Sequence, residues 1–252
     1  MPLGAVARGR LFAAACAAWA ILAAPAAASP VVALMPTADP IPQPEIAGHA
    51  LVFPPALVAE LAVPVVPRLS VSGYFGGSWF LDTFGGVLSA SAKLSLTVPD
   101  GDTWGSAILA QSIGGFVVSR GEGEGGRIDA VAALVSSPVR PARFHGGLAV
   151  HSMPGSEYPG GRYDWSNPQV SFFGAGEWTR GRATYGFEAL WGAAGADDGF
   201  DSTLLLLPAV RLRSGRIEWA ITAGVGVQRF GSPVAGAFPV PPLVSVTVPL
   251  GS

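Results

Sequence analysis

From about Leu69 onward the chain alternates apolar and polar residues with a period of two. Val87 to Val98 shows it most clearly: Leu88, Ala90, Ala92, Leu94, Leu96 and Val98 share one face, and Ser89, Ser91, Lys93, Ser95 and Thr97 share the other. Successive strand side chains point to opposite faces, so this pattern marks an extended strand with one apolar and one polar surface. Ile217 to Gln228 repeats it, with Trp219, Ile221, Val225 and Val227 set against Glu218, Thr222 and Gln228. Arg182 to Ala193 does so too, with Tyr185, Phe187 and Trp191 set against Thr184, Gly186 and Glu188. The pattern predicts about ten strands, at 69–80, 86–98, 103–118, 127–138, 141–152, 168–179, 182–194, 202–213, 216–229 and 241–250. They are long. A soluble strand usually has about five or six residues, whereas one tilted across a bilayer needs about nine to eleven.

The links between these strands sort by length. Pro99–Asp102, Ser137–Arg140, Arg180-Gly181 and Ser214-Gly215 are tight, whereas Ser119–Gly126, Met153–Asn167, Gly195–Asp201 and Gly231–Pro239 are longer. The link near Asp82-Thr83 is short. Trp104, Trp178, Tyr185 and Trp219 stand beside tight turns on the apolar face, and Trp79, Phe116 and Trp191 stand near the longer links. Aromatic belts at both strand ends suit the two headgroup layers of a membrane.

Ahead of the strands, residues 29–68 carry Pro30, Pro36, Pro40, Pro42, Pro44, Pro54, Pro55, Pro64 and Pro67. Proline lacks an N–H and resists helix, so this reads as a semi-rigid linker with a turn or two of helix at Ala56–Ala62. Arg8, Arg10, the apolar run Leu11–Leu22 and the small residues Ala26-Ala27-Ala28 read as a signal peptide cleaved near Ala28. The expected division is therefore a leader at 1–28, a Pro-rich extension at 29–68 and a β-barrel at 69–252.

Composition narrows the function. Half of the 252 residues are apolar and 13% are charged, against roughly a quarter in ordinary soluble domains. The net charge of −2 leaves no basic footprint for nucleic acid. Cys16, the only cysteine, lies in the leader, so the exported chain has no disulfide or thiolate site. No cofactor and no metal is expected.

With the apolar face on lipid, the polar face lines a lumen. It carries Lys93, Arg143, His145, His151, Glu177, Glu188, Arg211, Arg213, Glu218 and Gln228, beside the apolar Phe173, Leu190, Leu205 and Leu207. Taking Ser214-Gly215 as a two-residue loop places Arg213 opposite Arg216 and Arg211 opposite Glu218. Arg211 and Glu218 are thus an expected inward ion pair, which Glu188 extends. A barrel of this size is expected to be mostly packed, with at most a narrow solute path. Glu122, Glu124, Glu157, Asp164, Asp197, Asp198 and Asp201 make the longer links acidic and offer a site for a surface ligand.

His151, Ser152 and Glu157 supply the residue types of a hydrolase, but adjacent strand residues point to opposite faces, so catalysis is not expected. In its leader and its long alternating segments, the chain resembles the small bacterial outer-membrane β-barrel proteins as a class. The resemblance implies an all-β fold, an antiparallel up-and-down transmembrane β-barrel of about ten strands with a Pro-rich N-terminal extension. It also implies contact with outer-membrane lipid, lipopolysaccharide and the barrel-assembly machinery of a Gram-negative cell. Such proteins usually end in an aromatic residue, and this chain ends Val248-Pro-Leu-Gly-Ser252. A structural, surface-interaction or narrow solute-passage role is expected. The alternatives are a soluble exported ligand-binding β-protein and a lipid-modifying hydrolase.

Overall fold

The computed structural model describes residues 36–51, 56–80, 83–119, 122–138, 141–154, 163–196, 199–229 and 235–250; the expected leader lies outside them. The strands are β1 (Glu45–Leu51), β2 (Ala56–Val66), β3 (Leu69–Phe80), β4 (Thr83–Thr97), β5 (Gly105–Ser119) and β6 (Glu122–Ser136), followed by β7 (Ala142–Pro154), β8 (Tyr163–Arg180), β9 (Ala183–Ala196), β10 (Gly199–Ser214), β11 (Ile217–Arg229) and β12 (Ala235–Pro249). Each pairs antiparallel with its sequence neighbours, and β1 pairs with β12 to close the barrel. A closed up-and-down sheet has no free edge.

The barrel has twelve strands rather than about ten, because β1 and β2 lie in the segment expected to be a linker. It begins at Glu45, not near residue 69. The prolines permit this by position. Pro40, Pro42 and Pro44 precede β1, Pro67 sits in the β2–β3 turn, and Pro64 stands where the β2–β3 register shifts. At such irregularities a missing N–H breaks no ladder bond. Where one or two helical turns were expected, β2 exposes Leu57 and Leu61 and buries Ala56, Glu60 and Ala62, a period of two.

Loop lengths also differ from expectation. The strands run into the segments read as longer links, leaving only residues 120–121, 197–198 and 230–234 between them; 155–162 stays long. At the opposite end, where tight turns were expected, 98–104 and 137–141 are longer and 67–68, 181–182 and 215–216 are tight. Gly181 and Gly215 open two-residue loops with φ of 63° and 62°, a backbone that costs glycine least.

The two faces of the wall separate as the alternation predicts. Outward, Leu88, Phe75, Phe144, Leu212, Ile221 and Val225 are exposed apolar residues in a continuous girdle. Inward, Leu109, Leu134, Leu205, Leu207 and Leu243 are buried among small and polar side chains. The hydrophobic core is thus inside the barrel, and the outer surface offers lipid an apolar coat.

Candidate functional site

Twelve strands enclose more space than the eight-stranded barrels that side chains alone fill. Here the surplus is taken by the chain itself. Residues 36–41, just before β1, turn into the lumen at the end bearing the tight turns; Thr37 and Ala38 are fully buried and Ile41 nearly so. Ala38 packs with Ala107, Leu109, Ala132 and Leu134, and Ile41 packs on Ala62.

This plug runs inside the sheet without joining it, so its backbone polar groups must be met by side chains. The Ala38 N–H donates to Ser136 Oγ at 2.9 Å, and Ser95 Oγ donates to the Ala38 carbonyl at 3.2 Å. Lys93 Nζ donates to the Thr37 carbonyl at 3.3 Å and to the Asp39 carbonyl. Arg143 Nη2 lies 3.0 Å and 3.1 Å from the two carboxylate oxygens of Asp39, and 3.3 Å from the Ser137 carbonyl. The alternation of β4 aims both Lys93 and Ser95 inward. Arg143 and His145 are likewise the inward residues at the start of β7.

From Arg143 the charges continue around the wall. Glu177 lies between three basic side chains: it accepts from Arg211 Nη2 at 3.4 Å, and Arg143 Nη1 and His145 Nε2 stand 3.7 Å and 3.6 Å away, beyond hydrogen-bond reach. His145 Nδ1 is 2.8 Å from Ser136 Oγ, which ties this cluster back to the plug. Arg211 Nη1 reaches Glu218 at 3.6 Å, and Arg213 Nη2 reaches it at 2.9 Å. Alternating signs from Asp39 to Arg213 give each buried charge an opposite neighbour, without which burial would be costly.

The expected pairing is corrected in detail. Arg213, not Arg211, stands directly opposite Glu218, and Arg211 stands opposite Ala220. The cause is the turn: Ser214 pairs with Ile217, so the loop is Gly215-Arg216, not Ser214-Gly215. A slip of two residues keeps every side chain on its face, so Arg211 still reaches Glu218 diagonally. Of the other expected lumen residues, Lys93 and Glu188 are fully buried, and Gln228 is half-buried. Gln228 lies about ten positions along β11 from Glu218, roughly 30 Å away at strand spacing, so it is not part of the cluster.

The aromatic residues take the outer face. Trp79, Trp104, Phe116, Trp178, Tyr185 and Trp219 are exposed, and Trp191 is half-buried against Phe172 with ring centroids 5.5 Å apart. Trp178 and Tyr185 pair across β8 and β9 at 6.2 Å. Of the residues of the hydrolase reading, His151 Nε2 is 2.7 Å from Ser171 Oγ, Ser152 Oγ accepts the Asp129 N–H at 2.9 Å, and Glu157 lies outside the described residues. Asp197 and Asp198 also lie outside the described residues, and the side chains of Glu122, Glu124, Asp164 and Asp201 are not among those described.

Sequence reasoning did not find Thr37, Ala38 and Asp39, and it missed the inward His49, Glu60 and Tyr74 of β1 to β3. His49 Nε2 stands 3.8 Å from Glu60 Oε2, beside Tyr74 on the adjacent strand. Their one available signal was an acid or aromatic alternating with small residues, obscured by the surrounding prolines.

No family model matches the chain, and no curated protein matches it by sequence. Solved structures do match by shape. The NanC porin is similar with a TM-score of 0.52 at 9% identity, over 83% of this chain and 100% of that one. The KdgM porin is similar with a TM-score of 0.50 at 10% identity, over 82% and 99%. At these identities the likeness is one of fold. Closed sheet and neighbours agree on a porin-like β-barrel fold whose apolar girdle suits lipid, with no narrower family.

Proposed function

We propose that this protein is a non-catalytic outer-membrane barrel with a narrow solute path along its lumen, closed at rest by residues 36–41. The observation that carries the reading is how the plug is held. It is seated by side-chain hydrogen bonds and one ion pair, not by a strand ladder, so it can leave without opening the wall. A barrel with a purely structural role needs only a filled interior. This one lines its interior with Lys93, Arg143, Arg211, Glu177 and Glu188, costly groups whose alternating charges suit a path for a polar solute.

The tight-turn end is taken to face the periplasm, since β1 starts and β12 ends there. The apolar girdle then meets lipid and lipopolysaccharide, the aromatic residues sit at the two interfaces, and assembly falls to the barrel-assembly machinery. The experiment is single-channel recording in planar bilayers. The wild-type chain is expected to stay mostly closed, and a variant lacking residues 36–41 is expected to conduct steadily. Equal, negligible conductance from both would remove the passage reading.

A further inference from the structure

The seat of the plug is chemically more specific than a stopper requires. We propose that Lys93, Arg143, Ser95 and Ser136 form a carboxylate-binding site in the lumen, filled at rest by Asp39 and open to a carboxylate-bearing solute when the plug withdraws. The inference rests on the solute-passage reading and names the class of solute.

The geometry supports it in three ways. First, Arg143 Nη2 contacts both oxygens of the Asp39 carboxylate, at 3.0 Å and 3.1 Å. Guanidinium donors suit a carboxylate better than a spherical anion. Second, Lys93 is buried and donates to the Thr37 and Asp39 carbonyls. Withdrawal of the plug takes those acceptors away and leaves the ammonium facing the lumen, where an entering carboxylate can take their place. Third, Ser95 donates to a carbonyl and Ser136 accepts an N–H at the same seat. A fitting solute therefore carries hydroxyl or amide groups beside its carboxylate.

Two acids temper the site. Glu177 lies 3.7 Å from Arg143, and Glu45 is a further carboxylate acting on Lys93. Glu177 is already shared with His145 and Arg211, which leaves Arg143 able to bind a second carboxylate. Weak binding is also what a transport path needs, because a solute held too tightly does not leave.

The test uses the refolded full-length barrel in detergent, with gluconate as the carboxylate probe and glucose as its neutral counterpart. Binding is read as a saturable rise in unfolding temperature. A plug seated nine-tenths of the time lowers apparent affinity about tenfold, so deletion of residues 36–41 is expected to tighten gluconate binding by about that factor. Asp39→Asn should give a smaller gain, and Arg143→Gln in the deletion background should abolish binding. Equal gluconate affinity in wild type and deletion variant, or glucose binding as well as gluconate, would overturn the site. If the deletion variant does not refold, Asp39→Asn decides alone: gluconate affinity no tighter than wild type overturns it. A deletion variant that binds gluconate but carries no current keeps the site and removes the passage reading. One that conducts without preferring gluconate does the reverse.

Discussion

In the tight-turn half of the lumen, Lys93, Ser95, Leu134 and Ser136 are at most 1% exposed. In the other half, Ile128, Gln169, Thr203 and Gln228 keep part of their surface open. The wall is the same closed ladder in both, and polar and apolar residues point inward at both levels. What differs is the filler. Twelve strands enclose more space than eight, and residues 36–41 fill part of it where they enter. The contrast teaches that burial around Lys93, Ser95, Leu134 and Ser136 depends on a segment outside the sheet, and so is reversible in principle, whereas Leu205, Leu207 and Leu243 are buried by the wall's own side chains.

Four substitutions sharpen that contrast. Glu177→Ala should have the largest effect, because it removes the buried acid shared by Arg143, His145 and Arg211. Loss of one partner from a buried pair typically costs about 3–5 kcal/mol, and urea unfolding in micelles would measure it. Gln228→Ala, in the open half, should stay within about 0.5 kcal/mol. Similar losses from both would erase the distinction between the halves.

Leu134→Ala comes next. It opens a cavity against Ala38 and Leu109 and should cost about 2–5 kcal/mol. In a variant lacking residues 36–41 the same change should cost less by about 1 kcal/mol or more, because the two sites are in contact. A double-mutant cycle with no coupling would show that the plug does not pack there. A small effect is also expected from Arg213→Ala. Its side chain is 69% exposed, so its pair with Glu218 is screened by solvent and worth about 0–1 kcal/mol. A chemical-denaturation midpoint well below wild type would contradict that.

How much of this was legible in the sequence follows from where the information lies. The outer face was readable because every second residue of β4, β9 and β11 is apolar, and the inward set containing Lys93, Glu177, Glu188, Arg211 and Glu218 came with it. A register error of two residues at Gly215 left that set unchanged, since faces repeat with the same period. β1 and β2 were hidden by the prolines, and by inward positions such as Ala47, Ala56 and Ala62 that look apolar on both faces. The plug was not legible. Its contacts use the carbonyls of Thr37, Ala38 and Asp39 and the N–H of Ala38, groups that any sequence offers. Only the Asp39 carboxylate distinguishes it, and a single acid among Pro36, Pro40, Pro42 and Pro44 carries no periodic signal.

Thiol labelling at the centre of the plug is the most direct measure of whether the lumen is closed by the chain itself. Ala38→Cys, made in a Cys16→Ser background and assembled in vesicles, places one thiol among Leu109, Ala132 and Leu134. The account predicts that this thiol resists a water-soluble maleimide until the barrel is unfolded. Labelling in the folded barrel as fast as in urea would contradict it.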